Sequence, residues 1–143
     1  MTRQDWLLLA LSKARNGTFS PVQAQKAMFL IGTEAKRYVG DDFYAFEPYD
    51  YGPFSSSVYS DLETLASESK VEIRQVPGRR WSVYSITPEG RQSIDASAKD
   101  ADPRATKYVS EVATWVSGLS FQQLVRAIYD KYPAYKANSI FKD

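Results

Sequence analysis

Arg74, Arg79 and Arg80 surround a Pro77-Gly78 turn, and Ser55, Ser56, Ser57 and Tyr59 cluster where a helical run begins. Guanidinium groups on a projecting hairpin can straddle phosphates or enter a minor groove, and hydroxyls at a helix start can donate to phosphates or base edges. The chemistry this set suits is contact with double-stranded DNA. A second set, Phe43, Tyr44, Tyr49 and Tyr51, is interleaved with Asp41, Asp42, Glu47 and Asp50. Aromatic rings among carboxylates suit a partner protein, the acids steering a basic surface toward them. Catalysis is poorly served. The chain has neither histidine nor cysteine, which removes Ser–His–Asp and Cys–His mechanisms, His or thiolate metal sites and the usual base near neutral pH. Asp41-Asp42 offers oxygen ligands of the kind Mg²⁺ takes, but no further acid at a supporting spacing reinforces the pair, and it reads as a solvated turn. The expectation is a non-enzymatic protein with no cofactor and no bound metal.

The 143 residues suffice for one domain, and 43% hydrophobic with 14% aromatic residues can build a real core. The net charge of +1 conceals an asymmetry: residues 1–40 carry +4, 41–70 carry −6, 71–91 carry +2 and 92–143 carry +1. Any contact with nucleic acid must therefore come from a local patch. The longest uncharged apolar run, Trp6 to Ser12, is far shorter than the roughly 20 residues of a membrane span. The N-terminus lacks a signal-peptide cleavage pattern, and the absence of cysteine fits a reducing compartment. A cytoplasmic protein is expected.

The elements that must position these residues follow from periodicity. Leu7, Ala10, Leu11 and Ala14 form one face of a helix over 3–15, ended by Asn16-Gly17. Ser20-Pro21 caps and starts a second, with Ala24, Ala27, Met28, Ile31 and Ala35 inward. From Tyr38 to Phe54 turn formers alternate with aromatics, so a packed loop is expected, with Gly52-Pro53 leading into a third helix over 55–67. Val58, Leu62, Leu65 and Ala66 mark its buried side. Val71–Val76 and Trp81–Ile86 read as a two-stranded hairpin. Thr87-Pro88 starts a fourth helix running to about Ala98; Val109, Val112, Ala113 and Val116 mark a fifth; Ser120 caps a sixth with Phe121, Leu124, Val125 and Ile128 inward.

Three helices followed by a hairpin is the winged helix-turn-helix order. The expected fold is mainly α with a small β-hairpin (α+β), having a winged-helix-like core over 1–98 and a helical extension over 99–143 that packs on the core or forms a dimer face. Two features run against sequence-specific DNA reading. The third helix carries Asp61, Glu63 and Glu68, which repel phosphate, and the 38–54 stretch replaces the 3–4 residue turn typical of the motif.

Tyr51-Gly52-Pro53-Phe54-x-x-x-Val58-Tyr59-x-x-Leu62, with Gln25-Lys26-x-x-Phe29-Leu30 upstream and Tyr84-x-Ile86-Thr87-x-x-Gly90 downstream, resembles the YwgA-type winged-helix proteins of bacteria. The layout is also similar to SocA-like, Panacea-type antitoxin domains. The resemblance covers about residues 5–95 and implies a winged-helix-like fold in bacteria or their mobile elements, with functions divided between DNA-associated regulation and binding of a partner such as a toxin or protease. It supplies no catalytic residues. The leading expectation is a DNA-binding, transcription-regulator-like module that acts as a dimer and uses Arg74, Arg79, Arg80, Ser55, Ser56, Ser57 and Tyr59. The alternative is an antitoxin-like adaptor that binds a partner protein through Phe43, Tyr44, Tyr49 and Tyr51.

Overall fold

The computed structural model describes residues 1–142. Seven helices dominate it: α1 (Arg3–Lys13), α2 (Pro21–Glu34), the short α3 (Lys36–Val39), α4 (Ser56–Ser67), α5 (Pro88–Ser97), α6 (Pro103–Ser117) and α7 (Phe121–Lys131). Five short strands accompany them: β1 (Thr18–Phe19), β2 (Glu47–Tyr49), β3 (Gly52–Phe54), β4 (Val71–Gln75) and β5 (Ser82–Ile86). The fold is thus mainly helical with small antiparallel sheets, an α+β arrangement. None of the described helices is long and apolar enough to cross a membrane.

Local chemistry sets the helix starts. Thr2, Ser20 and Ser120 each form a capping box with the side chain three residues on, Asp5, Gln23 and Gln123 respectively, satisfying two orphan N–H groups at once. Pro21, Pro88 and Pro103 occupy first-turn positions that need no N–H donor.

The stripe expected on α1 is buried, but so are Trp6, Leu8 and Leu9. The helix is apolar nearly all round because α2, α4, α5 and α6 surround it. Val109, Val112, Ala113 and Val116 of α6 and Leu124 and Ile128 of α7 join the same core cluster as α1 and α2. The C-terminal helices thereby complete the core around α1.

The expected hairpin forms as β4–β5, with Ile73 opposite Tyr84. Strand β1, too short to announce itself by periodicity, adds to β5 on the other side through Thr18 and Phe19, giving the order β1-β5-β4. The loop expected over 38–54 contains α3 and a second hairpin, β2–β3. Pro53 does not lie in the first turn of the third helix; it sits in β3 opposite Pro48, and α4 starts three residues later.

Gly90 marks where α5 lies closest to the rest of the fold. Thr87 donates its N–H to the Lys70 carbonyl and its hydroxyl to the Ser69 carbonyl, drawing the helix start onto the turn after α4. A Cβ on Gly90 would stand 2.1 Å from the Lys70 carbonyl oxygen. Gly90→Ala is expected to destabilise the fold by about 1–3 kcal/mol, through forced displacement of backbone, read as a lowered denaturant midpoint at unchanged slope.

Candidate functional site: an aromatic groove over Lys26

The residues expected to contact DNA differ in their exposure. Arg74, Arg79 and Arg80 are exposed on β4 and at the hairpin tip, and the Arg79 guanidinium lies 5.2 Å from the Trp81 ring centroid. Ser56 is exposed and Ser57 half-buried at the start of α4. Ser55, by contrast, is buried: Gln25 accepts its N–H and donates to its carbonyl, both at 2.9 Å. It is a structural joint between α2 and α4, not a groove contact. Tyr59 is half-buried, stacked on Tyr84 at 6.2 Å and edge-on to Phe54 at 5.6 Å; burial pushes its phenol up to about 12.

Three of the six cations of the first 40 residues are paired or buried. Arg3 pairs with Asp61 at 2.9 Å, Lys36 faces Asp41 at 3.5 Å, and Lys26 is buried. The expectation that Asp61 repels a phosphate backbone is also corrected. Its carboxylate is buried and accepts hydrogen bonds from Arg3, Gln4 and Tyr44.

Of the aromatic set, Tyr44 is a core residue, its hydroxyl donating to Asp61 at 2.6 Å, and Phe43 packs against it and over Gly32. Tyr44 offers no free face to a partner, and Phe43 is half-buried. Tyr49 and Tyr51 are exposed. Among the described residues no cluster of three or more acidic side chains could hold a metal ion.

The structure brings together a different set. A groove of about 810 Å³ runs between the start of α2, the β2–β3 hairpin, the start of α7 and the β4–β5 hairpin. Its rim carries Tyr49, Tyr51, Trp81 and Phe121, with exposures of 52%, 41%, 44% and 42%. These are half of the eight exposed large hydrophobic residues described, gathered along one opening. Such concentration on a small protein marks an interaction site.

The floor is built by Gln25-Lys26. While Gln25 holds Ser55, the adjacent Lys26 donates from Nζ to the Pro53 carbonyl at 3.2 Å. Gly52 between them has φ +105°, and a Cβ there would stand 3.2 Å from the Tyr129 ring, so the Tyr-Gly-Pro turn needs glycine both for its backbone and for space. The chain end braces the hairpin from outside: Ile140 donates its N–H to the Asp50 carbonyl at 2.9 Å, and Asn138 donates to the Pro48 carbonyl. Lys26 is 3% exposed and has no carboxylate partner; desolvation lowers its pKa to about 7.

Phe121, expected to point inward on the helix that Ser120 caps, is instead exposed on the rim, and neither Lys26 nor Trp81 was expected at a functional site. One signal was present: Lys26 precedes Phe29 and Leu30 by three and four residues, placing its stem on a face that is itself apolar. Compared by sequence with known proteins, the chain matches no family model and no curated protein.

Proposed function

We propose that this chain is a winged helix-turn-helix-like adaptor without catalytic activity, which docks a segment of a partner protein in the groove between α2, the β2–β3 hairpin, α7 and the wing. The winged-helix assignment is supported by α1, β1, α2, α4, β4 and β5 following one another in that order, with β1 pairing beside the hairpin. In this reading, 35–55 is an insertion between the second and third helices of the motif. It takes the place of a short turn and builds the binding surface.

The observation that carries the adaptor reading is the gathering of four half-exposed aromatic side chains on a single apolar groove. Enclosed small-molecule pockets bury most of their ligand. Rim residues exposed to this degree instead suit a polypeptide crossing an open cleft, where large aromatic anchors supply most of the binding energy. Affinity purification from the native host with wild type and with Tyr51→Ala/Phe121→Ala tests it. A stoichiometric partner retained by the wild type should bind the double variant ~30-fold or more weakly, the loss of one strong anchor. Equal retention by both proteins removes the groove from the function.

A second reading, a DNA contact through the wing, is favoured by one observation: Arg74, Arg79 and Arg80 are exposed and none of them is in an ion pair. With Arg3 paired to Asp61 and Lys26 buried, these two add nothing to the neutralisation of phosphates, and binding that rests on counterion release would be weak. Arg79→Ala/Arg80→Ala should abolish any duplex shift seen at low salt and flatten its salt dependence. A shift unchanged by both substitutions would exclude the wing.

A further inference from the structure

Lys26 is a cation left without its counter-charge. Its ammonium has been taken out of water at the floor of the groove, yet among the described residues its one hydrogen-bond partner is the Pro53 carbonyl. A carbonyl satisfies one of three N–H donors and neutralises nothing. The same job of holding the Pro53 segment is already done next door by the two bonds between Gln25 and Ser55. A buried charge in this condition is a liability to the fold, and it is relieved when an anion enters the site.

We infer that the segment docked in the groove carries a carboxylate, an Asp or Glu side chain set between apolar side chains, which pairs with the Lys26 ammonium. The inference rests on the adaptor reading and specifies what the groove selects. The apolar flanks of the segment lie against the aromatic rim, and its acid reaches the floor. Asp50 lines the same groove, so further acids in the segment are disfavoured by like charge. The preferred segment therefore holds a single acid amid apolar residues, and not an acidic tract.

Binding is consequently linked to protonation. The titratable groups around Lys26 are Tyr49, Asp50 and Tyr51 of the β2–β3 hairpin, Tyr59 of α4 and Tyr129 of α7, with Lys136 lying 6.0 Å from the Tyr129 ring. Burial raises both Tyr59 and Tyr129, so they stay neutral at neutral pH. Lys26 with a pKa near 7 is mostly charged at pH 6 and mostly neutral at pH 8.5. A carboxylate ligand binds the charged form, and its affinity falls about 10- to 30-fold across that interval.

The test is selection from a random heptapeptide display library on the full chain, run in parallel on wild type, Lys26→Met and Phe121→Ala, followed by affinity measurements on synthetic copies of the enriched peptides. The expected result is enrichment of peptides with one Asp or Glu between apolar residues on wild type and loss of that preference on Lys26→Met. Exchange of the peptide acid for its amide should cost tenfold or more on wild type and nothing on Lys26→Met. The pH dependence should persist in Asp50→Asn and vanish in Lys26→Met. Peptides that depend on Phe121 but show no acid preference, or the same preference on Lys26→Met, would overturn the inference and leave the adaptor reading standing. Enrichment that ignores Phe121 would overturn both. The amide exchange is made in the peptide, so it reads the contact whether or not a protein variant folds well.

Discussion

Exchanging Lys26 for methionine is expected to stabilise the fold at pH 7 by on the order of 3 kcal/mol, and to make stability nearly independent of pH between 7 and 9. An amine with an ordinary pKa of 10.5 is held near 7 in the folded chain by desolvation. Below pH 7 both folded and unfolded chains carry the proton, and the full cost of the buried charge is present. Between 7 and 10.5 the unfolded chain binds more protons than the folded one, so stability rises with pH. The wild type is expected to gain about 2–3 kcal/mol from pH 7 to 9, at 1.36 kcal/mol per unit. Methionine has no charge to desolvate, and the loss of the bond to the Pro53 carbonyl offsets the gain by only about 1 kcal/mol. Urea unfolding of both proteins at pH 6, 7 and 9 checks this. Parallel stability curves for the two would show that the ammonium keeps its hydration in the folded chain. A side chain that costs this much and has no acid to pair with fits a ligand-binding role better than a scaffolding one.

Asp61→Ala is expected to cost about 2–4 kcal/mol, the loss on breaking a mostly buried ion pair, reduced because the Arg3 side chain is 34% exposed. Asp61 accepts from Arg3 Nε at 2.9 Å, Arg3 Nη2 at 3.2 Å, Gln4 at 3.3 Å and the Tyr44 hydroxyl at 2.6 Å. Removing it leaves a buried phenol without an acceptor at the point where the 35–55 insertion meets α4. Burial, together with Asp61, drives the Tyr44 pKa well up, so this phenol remains a neutral donor throughout. Phe43 and Phe46 pack on Tyr44, and Phe46 continues to Phe29 of α2 at 5.5 Å. The loss is therefore expected to spread to the hairpin: amide exchange over 46–54 should quicken while α1 and α6 stay protected, at the same time as the urea midpoint falls. The double variant with Tyr44→Phe should be no less stable than Asp61→Ala alone, because it removes the orphaned hydroxyl. Additive losses would mean the two residues act independently.

The helix starts were legible because capping is local: hydroxyl, proline and the glutamine or aspartate three residues on lie within one turn. So was the β4–β5 hairpin, whose β-branched runs flank a Pro-Gly turn. The small elements were not. Strand β1 is two residues long and exists because β5 offers it an edge, and β2–β3 is drawn into register by a braced insertion and not by alternation. Among site residues, Arg74, Arg79 and Arg80 were legible as exposed cations, whereas Tyr49 and Tyr51, expected within a packed aromatic loop, stand exposed. Ser55 and Tyr44 were misread for one reason: their partners, Gln25 and Asp61, lie 30 and 17 residues away. The Gln25-Lys26 and Tyr51-Gly52-Pro53 motifs were both visible, yet their relation was not, since it consists of three hydrogen bonds across α2 and the end of the insertion.

Composition alone closed off whole classes of chemistry, because a chain without histidine or cysteine cannot assemble the sites that depend on them, however it folds. Periodicity and capping likewise settled that the chain is mainly helical with a small hairpin, since those signals act within a few residues. Which side chains share a surface was decided by packing. Folding buried Lys26 and Asp61 and gathered Tyr49, Tyr51, Trp81 and Phe121, from three separate places in the chain, onto one groove. Burial and juxtaposition are properties of contacts between distant segments, and no local pattern encodes them.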